Sequence, residues 1–596
     1  MKNESVNDFV LKIANVNGSG SASANSLIFK AIFRSGIPVS AKNIFPSNIQ
    51  GLPTWYEVRV NAEGHIARSP RVDIFVAMNP RTLEEDIALV SPGGYFLYDS
   101  TWPIKEDSQR SDINYLPIPL STLNIEAFPD VKTRILMKNI TYVGAIAAFL
   151  NISIPILQTL LEETYSKKPQ LAEANMKAVM MSHDFVTGNF DYPLPVRIEQ
   201  MDKTDDCILI TGNAACALGS IYAGATVAAW YPITPATSIT NVFSQLCGRF
   251  RRDPETGRLN AAIIQAEDEL AAVGIAIGAG WSGARSFTPT SGPGISLMSE
   301  FIGFAYYTEI PVVIFDVQRA GPSTGMPTRT QQCDMLTTAY ASHGDTKHIL
   351  LFPADPEECF YFSAEAFDLA EHFQTPVFIL SDLDIGMNEW LIPRLKWEDS
   401  YKPDRGKVLG EKELEAIDKF YRYLDTDGDE IAARSLPGVN SKGSYFLRGS
   451  GHNRYGQYTE KSDEYIEVVD RLQRKFLSAA NQVPEPVIKT APDSVMGVIT
   501  VGSCKLAVRE ALSALEEEGI RLDYMRIRGF PFSKQVESFI ESHERCFVIE
   551  QNRDAQLRSL LILETAAPKH KLIPILEYGG MSLDAEAITA KLRSQL

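Results

Sequence analysis

The chain has 596 residues, of which 45% are hydrophobic and 22% charged, a composition typical of a globular protein with three or four domains. Its 57 basic and 74 acidic residues give a formal net charge of -17. This balance argues against a nucleic-acid-binding protein, because the chain has no basic excess to neutralise phosphates. A local basic pocket for an anionic substrate is still compatible with it.

The seven cysteines are sparse, and no two of them are spaced as CxxC. We therefore expect no iron–sulfur or zinc site built by this chain alone. Isolated thiols suit a reducing compartment, and the start MKNESVNDFVLKI mixes charges before any apolar run, so we expect a cytoplasmic protein without a signal peptide.

The N-terminal third is predicted to be alternating α/β, with a Gly/Ser loop, GSGSAS at 18–23, between its first strand and first helix. The loop resembles a dinucleotide-binding fingerprint, but Ser23 stands where the third glycine belongs, so it is a weak phosphate-loop signal. The expected strands cover 9–16, 55–60, 72–77 and 95–98, the expected helices 24–34 and 171–183, and the first linker 187–196.

Residues 139–161 contain no charged side chain and are long enough to span a bilayer. Polar residues and a proline interrupt this run at Asn151, Ser153, Pro155 and Gln158. We expect a buried strand–turn–helix element here and no membrane contact, with membrane contact as the alternative.

From residue 207 to 379 the pattern repeats strand, loop and helix, which predicts a mostly parallel sheet covered on both faces. Ligands of such sheets bind at the loops beyond the carboxyl ends of the strands. A polar connection with one charged helix at 463–480 follows, and then a compact α/β unit from 494 to 596. The elements predicted around the loops are strands at 226–230, 261–265, 284–287 and 312–317 and helices at 213–223, 268–281 and 295–306; those of the last unit are strands at 496–501, 523–527 and 546–550 and a helix at 505–518.

Two of these loops present polar groups on rigid backbone. In YPITPAT, the prolines keep 232–235 out of a helix and present Thr234, and Thr237 or Ser238 can cap the next helix. In TPTSGPG, small residues allow backbone amides to approach a flat ring or a phosphate. Each loop is also explained by a tight turn alone.

Charged residues mark the other two loops. The acidic residues Glu267, Asp268 and Glu269 precede an apolar helix that we expect to be buried, where a carboxylate serves either as a cap or, partly desolvated, as a proton-sharing group. Arg319 follows the strand VVIFDVQ, and its fork suits two carboxylate oxygens or a local ion pair.

Three long segments closely resemble the alpha subunit of 2-oxoacid:ferredoxin oxidoreductases. They are GNAACALGSIYAGATVAAWYPITPATS, QAEDELAAVGIAIGAGWSGARSFTPTSGPGISLMSE and EIPVVIFDVQRAGPSTGMPTRTQQCD. FVIEQNRDAQL and EYGGMSL resemble the last domain of that subunit. The resemblance implies several doubly wound α/β domains: a gamma-like domain at 1–195, a thiamine-diphosphate pyrimidine-binding domain at 200–400, a connecting region at 401–490 and a transketolase C-terminal-like domain at 491–596.

The resemblance also implies the roles of individual residues. Glu269, chosen over Glu267 for its spacing to Gly274 and Gly278, would share a proton with the cofactor's aminopyrimidine ring, and this makes it the expected catalytic residue. The substrate-binding residues implied are Thr234, Arg319 and, for a distal carboxylate, Arg329, and the cofactor-facing residues are Pro232, Ser291 and Gly292.

The resemblance assigns the remaining parts to partners. A beta subunit would hold the Mg²⁺ and a [4Fe-4S] cluster and share the thiamine diphosphate. Coenzyme A would accept the acyl group, and ferredoxin would accept the electrons. No metal site is expected in this chain, because the DGDE at 427–430 lacks the context of a diphosphate-binding metal loop. We expect 2-oxoglutarate as the substrate of a paired heterodimer. The alternatives are pyruvate or broad specificity, a nicotinamide-linked oxidoreductase, and a non-catalytic scaffold.

Overall fold

A computed structural model describes residues 4–18, 20–46 and 52–596. The chain forms two compact units. The first runs to Leu209 and includes Asn388–Arg394 and Asp584–Ala587, and the second comprises Ile210–Met387, Leu395–Leu583 and Ile588–Leu596.

The first unit contains a six-stranded sheet of order β3-β4-β2-β5-β6-β7, in which β2, β5, β6 and β7 are parallel and β4 is antiparallel to both of its neighbours. The strands of this unit are β1 (Ser5–Val6), β2 (Asp8–Val16), β3 (Val39–Ile44), β4 (Pro53–Asn61), β5 (Ile74–Ala77), β6 (Tyr95–Asp99), β7 (Asn114–Ile118) and β8 (Val196–Arg197). Strands β1 and β8 form a separate parallel pair. Its helices are α1 (Ser21–Arg34), α2 (Leu83–Leu89), α3 (Leu120–Ala127), α4 (Val131–Leu150), α5 (Ile154–Thr164) and α6 (Pro169–Asn189).

The uncharged segment 139–161 is helical throughout except for a turn, so the predicted strand is wrong. Helix α4 ends at Asn151, whose φ of 60° forms the turn before α5. A continuous apolar run does not distinguish a buried strand from a buried helix. Gly144 allows α4 to pack closely against α6, because a Cβ at this position would lie 1.9 Å from the carbonyl oxygen of Val179 in α6. No helix in the described part of the chain is long and apolar enough to cross a membrane.

Two smaller boundaries also differ from those predicted. Helix α6 continues to Asn189, so the linker expected from residue 187 begins later. Part of the Gly/Ser loop lies outside the described residues at Ser19, and α1 begins at Ser21 after Gly20, which has a φ of 82°.

Besides a separate pair of short strands at 207–211 and 389–393, the later part of the chain carries two larger sheets. One has seven strands in the order β11-β10-β12-β13-β15-β14-β20, and the other has five in the order β17-β19-β18-β21-β22. The strands are β9 (Cys207–Thr211), β10 (Val227–Trp230), β11 (Ala262–Gln265), β12 (Ser286–Thr290), β13 (Val312–Gln318), β14 (Ile349–Leu351), β15 (Pro376–Asp382), β16 (Glu389–Pro393), β17 (Val487–Lys489), β18 (Met496–Val501), β19 (Asp523–Ile527), β20 (Gly529–Phe530), β21 (Arg545–Glu550) and β22 (Leu572–Leu576). The helices are α7 (Gly212–Tyr222), α8 (Thr237–Phe250), α9 (Glu269–Trp281), α10 (Gly292–Thr308), α11 (Met335–Ala339), α12 (Pro356–Phe373), α13 (Leu383–Met387), α14 (Glu411–Ala416), α15 (Ser462–Ser478), α16 (Lys505–Glu517), α17 (Lys534–Ser542), α18 (Gln556–Glu564) and α19 (Ala585–Gln595).

Both sheets are parallel except at one edge strand each, β20 and β17. The predicted α/β class with parallel sheets is therefore confirmed. Strands β11, β10, β12 and β13 are consecutive neighbours. The loops beyond their carboxyl ends carry Glu269, Thr234, Ser291 and Arg319, so one edge of the sheet brings four of the predicted residues together.

Candidate active site

The acidic residues at the start of α9 have different structural roles. Asp268 is the N-cap, and its carboxylate accepts a hydrogen bond of 2.7 Å from the backbone N–H of Ala271. Glu269, the first residue of the helix, is only 7% exposed, whereas Glu267 and Asp268 are exposed. Among the described residues, no hydrogen bond or ion pair reaches the Glu269 carboxylate. The cap is thus filled by its neighbour, and Glu269 is left as a buried acceptor.

Helix α9 is less buried than its apolar sequence suggests. Residues such as Ala272, Val273 and Ala276 are fully buried, but Leu270 is 38% exposed. The expectation of a wholly buried helix is therefore wrong for this chain alone. Apolar composition predicts burial in some interface, and it does not tell whether the covering surface belongs to the same chain.

Arg319 directly follows β13 and reaches the loop after β10. Its Nη1 donates a hydrogen bond of 2.6 Å to the carbonyl oxygen of Thr234, and its Nε is buried without an acceptor among the described residues. Burial lowers the pKa of Arg319, while the charges of Asp334 and Glu269 act in the opposite direction. The guanidinium is thus held in place on one side and keeps donors for a ligand on the other.

The loop that carries Thr234 is held by Asn213, a residue that no sequence pattern singled out. Its Nδ2 donates to the carbonyl oxygen of Pro235 at 2.8 Å and to Ser238 Oγ at 2.7 Å. The predicted caps are wrong: the N-cap of α8 is Ala236, which makes no side-chain cap, and Thr237 Oγ1 instead accepts from the N–H of Ile233.

The loop between β12 and α10 packs against Glu269. A Cβ at Gly294 would lie 3.0 Å from Glu269 Cγ and 1.9 Å from Thr290 Oγ1, so only glycine allows this approach. Ser291 is fully buried, and neither its Oγ nor that of Thr288 has a hydrogen-bond partner in the described part of the chain. Buried hydroxyls without partners mark a place where a ligand can complete the hydrogen bonding.

A cavity of about 880 Å³ opens beside Gly292 and Arg319. Its far wall comes from the C-terminal part of the chain, with Tyr578 and the turn that contains Arg553 and Asp554. This volume is in the usual range for a substrate or cofactor site.

Arg329 and Pro232 lie at the margin of this arrangement. Arg329 belongs to the same loop as Arg319, but it is not among the described residues that line the cavity, and its Nη1 donates to the carbonyl oxygen of Thr328 at 2.8 Å. Its Cβ lies 2.9 Å from the position that a Cβ on Gly580 would take. Pro232 is exposed two residues before Thr234. Of the predicted residues, only Gly292 and Arg319 are among the described residues that line the cavity. Thr234 and Glu269 lie next to Arg319, through its hydrogen bond and its charge, and Ser291 directly precedes Gly292.

Two carboxylates that the sequence reasoning missed lie under this loop cluster. Asp316 is fully buried in β13 with no donor to either oxygen among the described residues, and burial together with the charge of Asp334 raises its pKa well above the usual value. Burial raises the pKa of Asp334 to about 6, against the opposing effects of Cys333 and Arg319. The available signal was the aspartate inside the apolar strand VVIFDVQ.

The DGDE segment lies in a loop, apart from any strand end. Asp425, Asp427 and Asp429 form a close carboxylate group, but the ammonium of Lys407 lies 2.5 Å from both Asp427 and Asp429. An internal cation therefore already pairs with two of the three carboxylates.

The residues present fit a thiamine cofactor's aminopyrimidine. The buried Glu269 carboxylate, without a donor among the described residues, can hydrogen-bond a ring nitrogen. Ser291 and Thr288 keep buried hydroxyls without partners, and the glycines leave room for a flat ring. The fold and this edge of the sheet together define an α/β subunit of the thiamine-diphosphate-dependent class.

Comparisons with known proteins agree with this class. Residues 218–411 match the family described as "Pyruvate flavodoxin/ferredoxin oxidoreductase, thiamine diP-bdg", and residues 10–185 match "Pyruvate ferredoxin/flavodoxin oxidoreductase". The alpha subunit of 2-oxoacid:ferredoxin oxidoreductase 2 of Aeropyrum pernix is 29% identical over 609 residues, covering 94% of this chain and 93% of the relative. The 2-oxoglutarate synthase subunit KorA of Methanothermobacter thermautotrophicus is 34% identical over 346 residues, covering 58% of this chain and 87% of the relative.

A solved structure is similar over the same extent. The 2-oxoglutarate:ferredoxin oxidoreductase from Magnetococcus marinus, with 2-oxoglutarate, coenzyme A and succinyl-CoA bound, has a TM-score of 0.88 and 28% identity over 99% of both chains. The chain belongs to the 2-oxoacid:ferredoxin oxidoreductase family, as an alpha subunit with a gamma-like domain fused at its N-terminal side. An alpha subunit implies a beta-subunit partner, and the family uses ferredoxin as its electron acceptor.

Proposed function

We propose that this chain is the alpha subunit of a 2-oxoglutarate:ferredoxin oxidoreductase, also called 2-oxoglutarate synthase. With its beta subunit it would convert 2-oxoglutarate and coenzyme A to succinyl-CoA and carbon dioxide, passing two electrons to ferredoxin, or run in reverse. The substrate is supported by the ligands of the Magnetococcus marinus structure and by the 2-oxoglutarate synthase relatives. The observation that carries the activity is the buried, unpaired carboxylate of Glu269 beside Arg319.

Glu269 would hold the aminopyrimidine of thiamine diphosphate, with Ser291, Gly292 and the Pro232 segment around it. When bound, this cofactor supplies the nucleophilic carbon and the electron sink that a 2-oxoacid needs in order to lose carbon dioxide. The carboxylate of Glu269, which accepts no hydrogen bond from the described residues, would share a proton with a nitrogen of the aminopyrimidine ring. Glu269 is therefore the proposed catalytic residue.

Arg319 and Thr234 would bind the substrate carboxylate next to its carbonyl. The guanidinium is anchored on the backbone of the Thr234 loop, which sets the direction of its remaining donors. A planar fork of donors binds a carboxylate through two oxygens and so orients the oxoacid. Arg329, on the same loop, is proposed for the distal carboxylate that distinguishes 2-oxoglutarate from pyruvate.

The other chemistry belongs to partners. We assign the Mg²⁺ of the cofactor diphosphate and the [4Fe-4S] cluster to the beta subunit, and part of the coenzyme A contact to the gamma-like domain. The proposed domains keep the bounds 1–195, 200–400, 401–490 and 491–596. On this proposal the chain is half of an active site and is inert alone.

The test is co-purification with the beta subunit, followed by a panel of oxoacids with and without coenzyme A, measured as ferredoxin reduction. We expect the highest kcat/KM for 2-oxoglutarate, dependence on coenzyme A, and no activity from this chain alone. A preference for pyruvate would contradict the substrate, and equal rates would support the broad specificity named for the Aeropyrum pernix relative. Failure to turn over any oxoacid would contradict the activity itself.

A further inference from the structure

Asp334 occupies a defined place next to the candidate site. Its backbone N–H donates to Gln318 Oε1 at 3.0 Å, which ties it to the end of β13. Its two carboxylate oxygens lie 2.6 and 2.7 Å from the position that a Cβ on Gly292 would take. The carboxylate thus fills the space that a side chain at the start of α10 would need. It lines the same cavity as Arg319.

No basic side chain pairs with this carboxylate directly. Among the described residues Asp334 forms no ion pair, its Oδ2 is buried without a donor, and the thiol of Cys333 lies 3.8 Å from its Oδ1. Burial raises the pKa of Cys333 to about 12, so this thiol stays protonated. Arg319 is the cation whose charge lowers the pKa of Asp334, and Asp334 in turn acts on Arg319.

The environment of Asp316 indicates which of the two carboxyl groups, Asp316 or Asp334, changes its protonation state. Strand β13 has neighbours on both sides, and Asp316 lies fully buried between Thr290 of β12 and Leu380 of β15. A buried carboxylate without donors is stable only in its neutral form. Burial without donors and the charge of Asp334 favour the neutral form of Asp316, so we assign the change of charge to Asp334, which lines the cavity with Arg319.

Arg319 has more negative neighbours than it can neutralise. The negative charges of Glu269 and Asp334 both raise the pKa of its guanidinium. On the C-terminal wall of the cavity, Arg553 and Asp554 form an exposed ion pair of 2.8 Å with each other and so add no net charge. A bound oxoacid carboxylate would add a third negative charge to one guanidinium in a largely buried site. Repulsion at low effective dielectric is costly, so the most easily protonated group is expected to take up a proton.

We propose that Asp334 is a positioning residue that acts through Arg319, and that it takes up a proton when the oxoacid carboxylate binds to that guanidinium. Ionised Asp334 attracts and orients the guanidinium of Arg319. Protonated Asp334 no longer attracts it, so the guanidinium can bind the substrate carboxylate. The inference rests on the proposed function, because it requires a 2-oxoacid at Arg319.

The expected pH dependence follows from the sign of this linkage. Binding of an anion raises the pKa of Asp334 above its value of about 6 in the free site, so the protonated form binds the oxoacid better. The KM for the oxoacid should therefore be constant below pH 6 and rise above it by up to about tenfold per pH unit. The kcat need not follow, because the substrate complex is already protonated at Asp334.

The experiment uses the assembled complex of this chain with its beta subunit. N-oxalylglycine, a 2-oxoglutarate analogue whose amide carbonyl resists attack, is titrated calorimetrically at pH 7 in buffers of different ionisation enthalpy, and KM for 2-oxoglutarate is measured from pH 5.5 to 8.5. We expect uptake of up to about one proton per site in the wild type. Uptake should be absent in Asp334→Asn, whose KM should lose its pH dependence. The matched control is Asp554→Asn, an exposed carboxylate of the same cavity, which should keep the uptake.

Each outcome decides the matter. Uptake that persists in Asp334→Asn would place the proton on another group and overturn the inference. Binding without proton uptake in the wild type would overturn it while leaving the proposed function intact, whereas a complex that binds no oxoacid would overturn both. If Asp334→Asn does not assemble, Asp334→Glu retains a titrating carboxyl and should shift the midpoint of the KM profile; an unshifted midpoint would contradict the role of Asp334.

Discussion

Two clusters of carboxylates in the second unit differ in whether a basic side chain forms an ion pair with them. Glu309, at the end of α10, is 1% exposed and is bound by both guanidinium nitrogens of Arg471 and, at 2.7 Å, by the ammonium of Lys475. Burial raises its pKa, but Arg471 and Lys475 outweigh burial and hold the pKa of Glu309 below its usual value.

In the second cluster Asp316 and Glu269 are buried and Asp334 is half-buried, and none of the three forms an ion pair among the described residues. Burial here raises the pKa of Asp316 and Asp334. A paired buried charge fixes one element to another, as Glu309 fixes α10 to α15, whereas unpaired buried carboxylates cost free energy unless they bind a ligand or keep a proton. The contrast separates a structural cluster from a candidate site in the same fold.

The largest effect is expected at Glu269. Glu269→Gln keeps the shape of the side chain but cannot share a proton with the cofactor ring, so the rate of oxoacid-dependent ferredoxin reduction should fall by about 10²- to 10⁴-fold. The control is Glu267→Gln, which changes an exposed carboxylate two residues away and should retain the rate. Full activity of a folded Glu269→Gln complex would favour the scaffold alternative.

Breaking the paired cluster should reduce stability and leave substrate affinity unchanged. Glu309→Gln leaves Arg471 and Lys475 buried without a counter-charge, which is expected to cost about 3–5 kcal/mol of unfolding free energy. Glu467→Gln breaks the exposed pair with Arg454 and should cost less than about 1 kcal/mol. Denaturant unfolding measures both, and equal losses in the two variants would contradict the structural role of Glu309.

The smallest effect is expected at Arg329, which lies beside the unpaired cluster. Burial lowers the pKa of Arg329, so a ligand carboxylate would be a favourable partner for it. Arg329→Met should raise the KM for 2-oxoglutarate about tenfold, the loss of one charged hydrogen bond of about 1.5 kcal/mol. The KM for 2-oxobutyrate, which has no distal carboxylate, should stay the same. Equal changes of KM for both oxoacids would show that Arg329 does not bind the distal carboxylate.

Much of the fold was predictable from local patterns. Short apolar runs between Gly/Pro loops indicated β10, β12, β13 and β18 within a few residues, because strand length and loop chemistry are local properties. The prediction of a strand in 139–161 was wrong because its first part is an apolar run that fits a buried strand and a buried helix equally well. Its helices are decided by the contact of Gly144 with α6, which lies far along the chain.

The sequence by itself determined the strand–loop–helix alternation from 207 to 379, the acidic group before α9 and the arginine after β13, since residue type and local spacing are sufficient for these. Only the tertiary structure decided that β11, β10, β12 and β13 lie side by side, that Asp268 caps and Glu269 does not, and that Asp316 and Asp334 lie near them without an ion pair among the described residues. The physical reason is that burial and charge pairing depend on groups brought together by packing, and sequence distance does not reveal which groups those are.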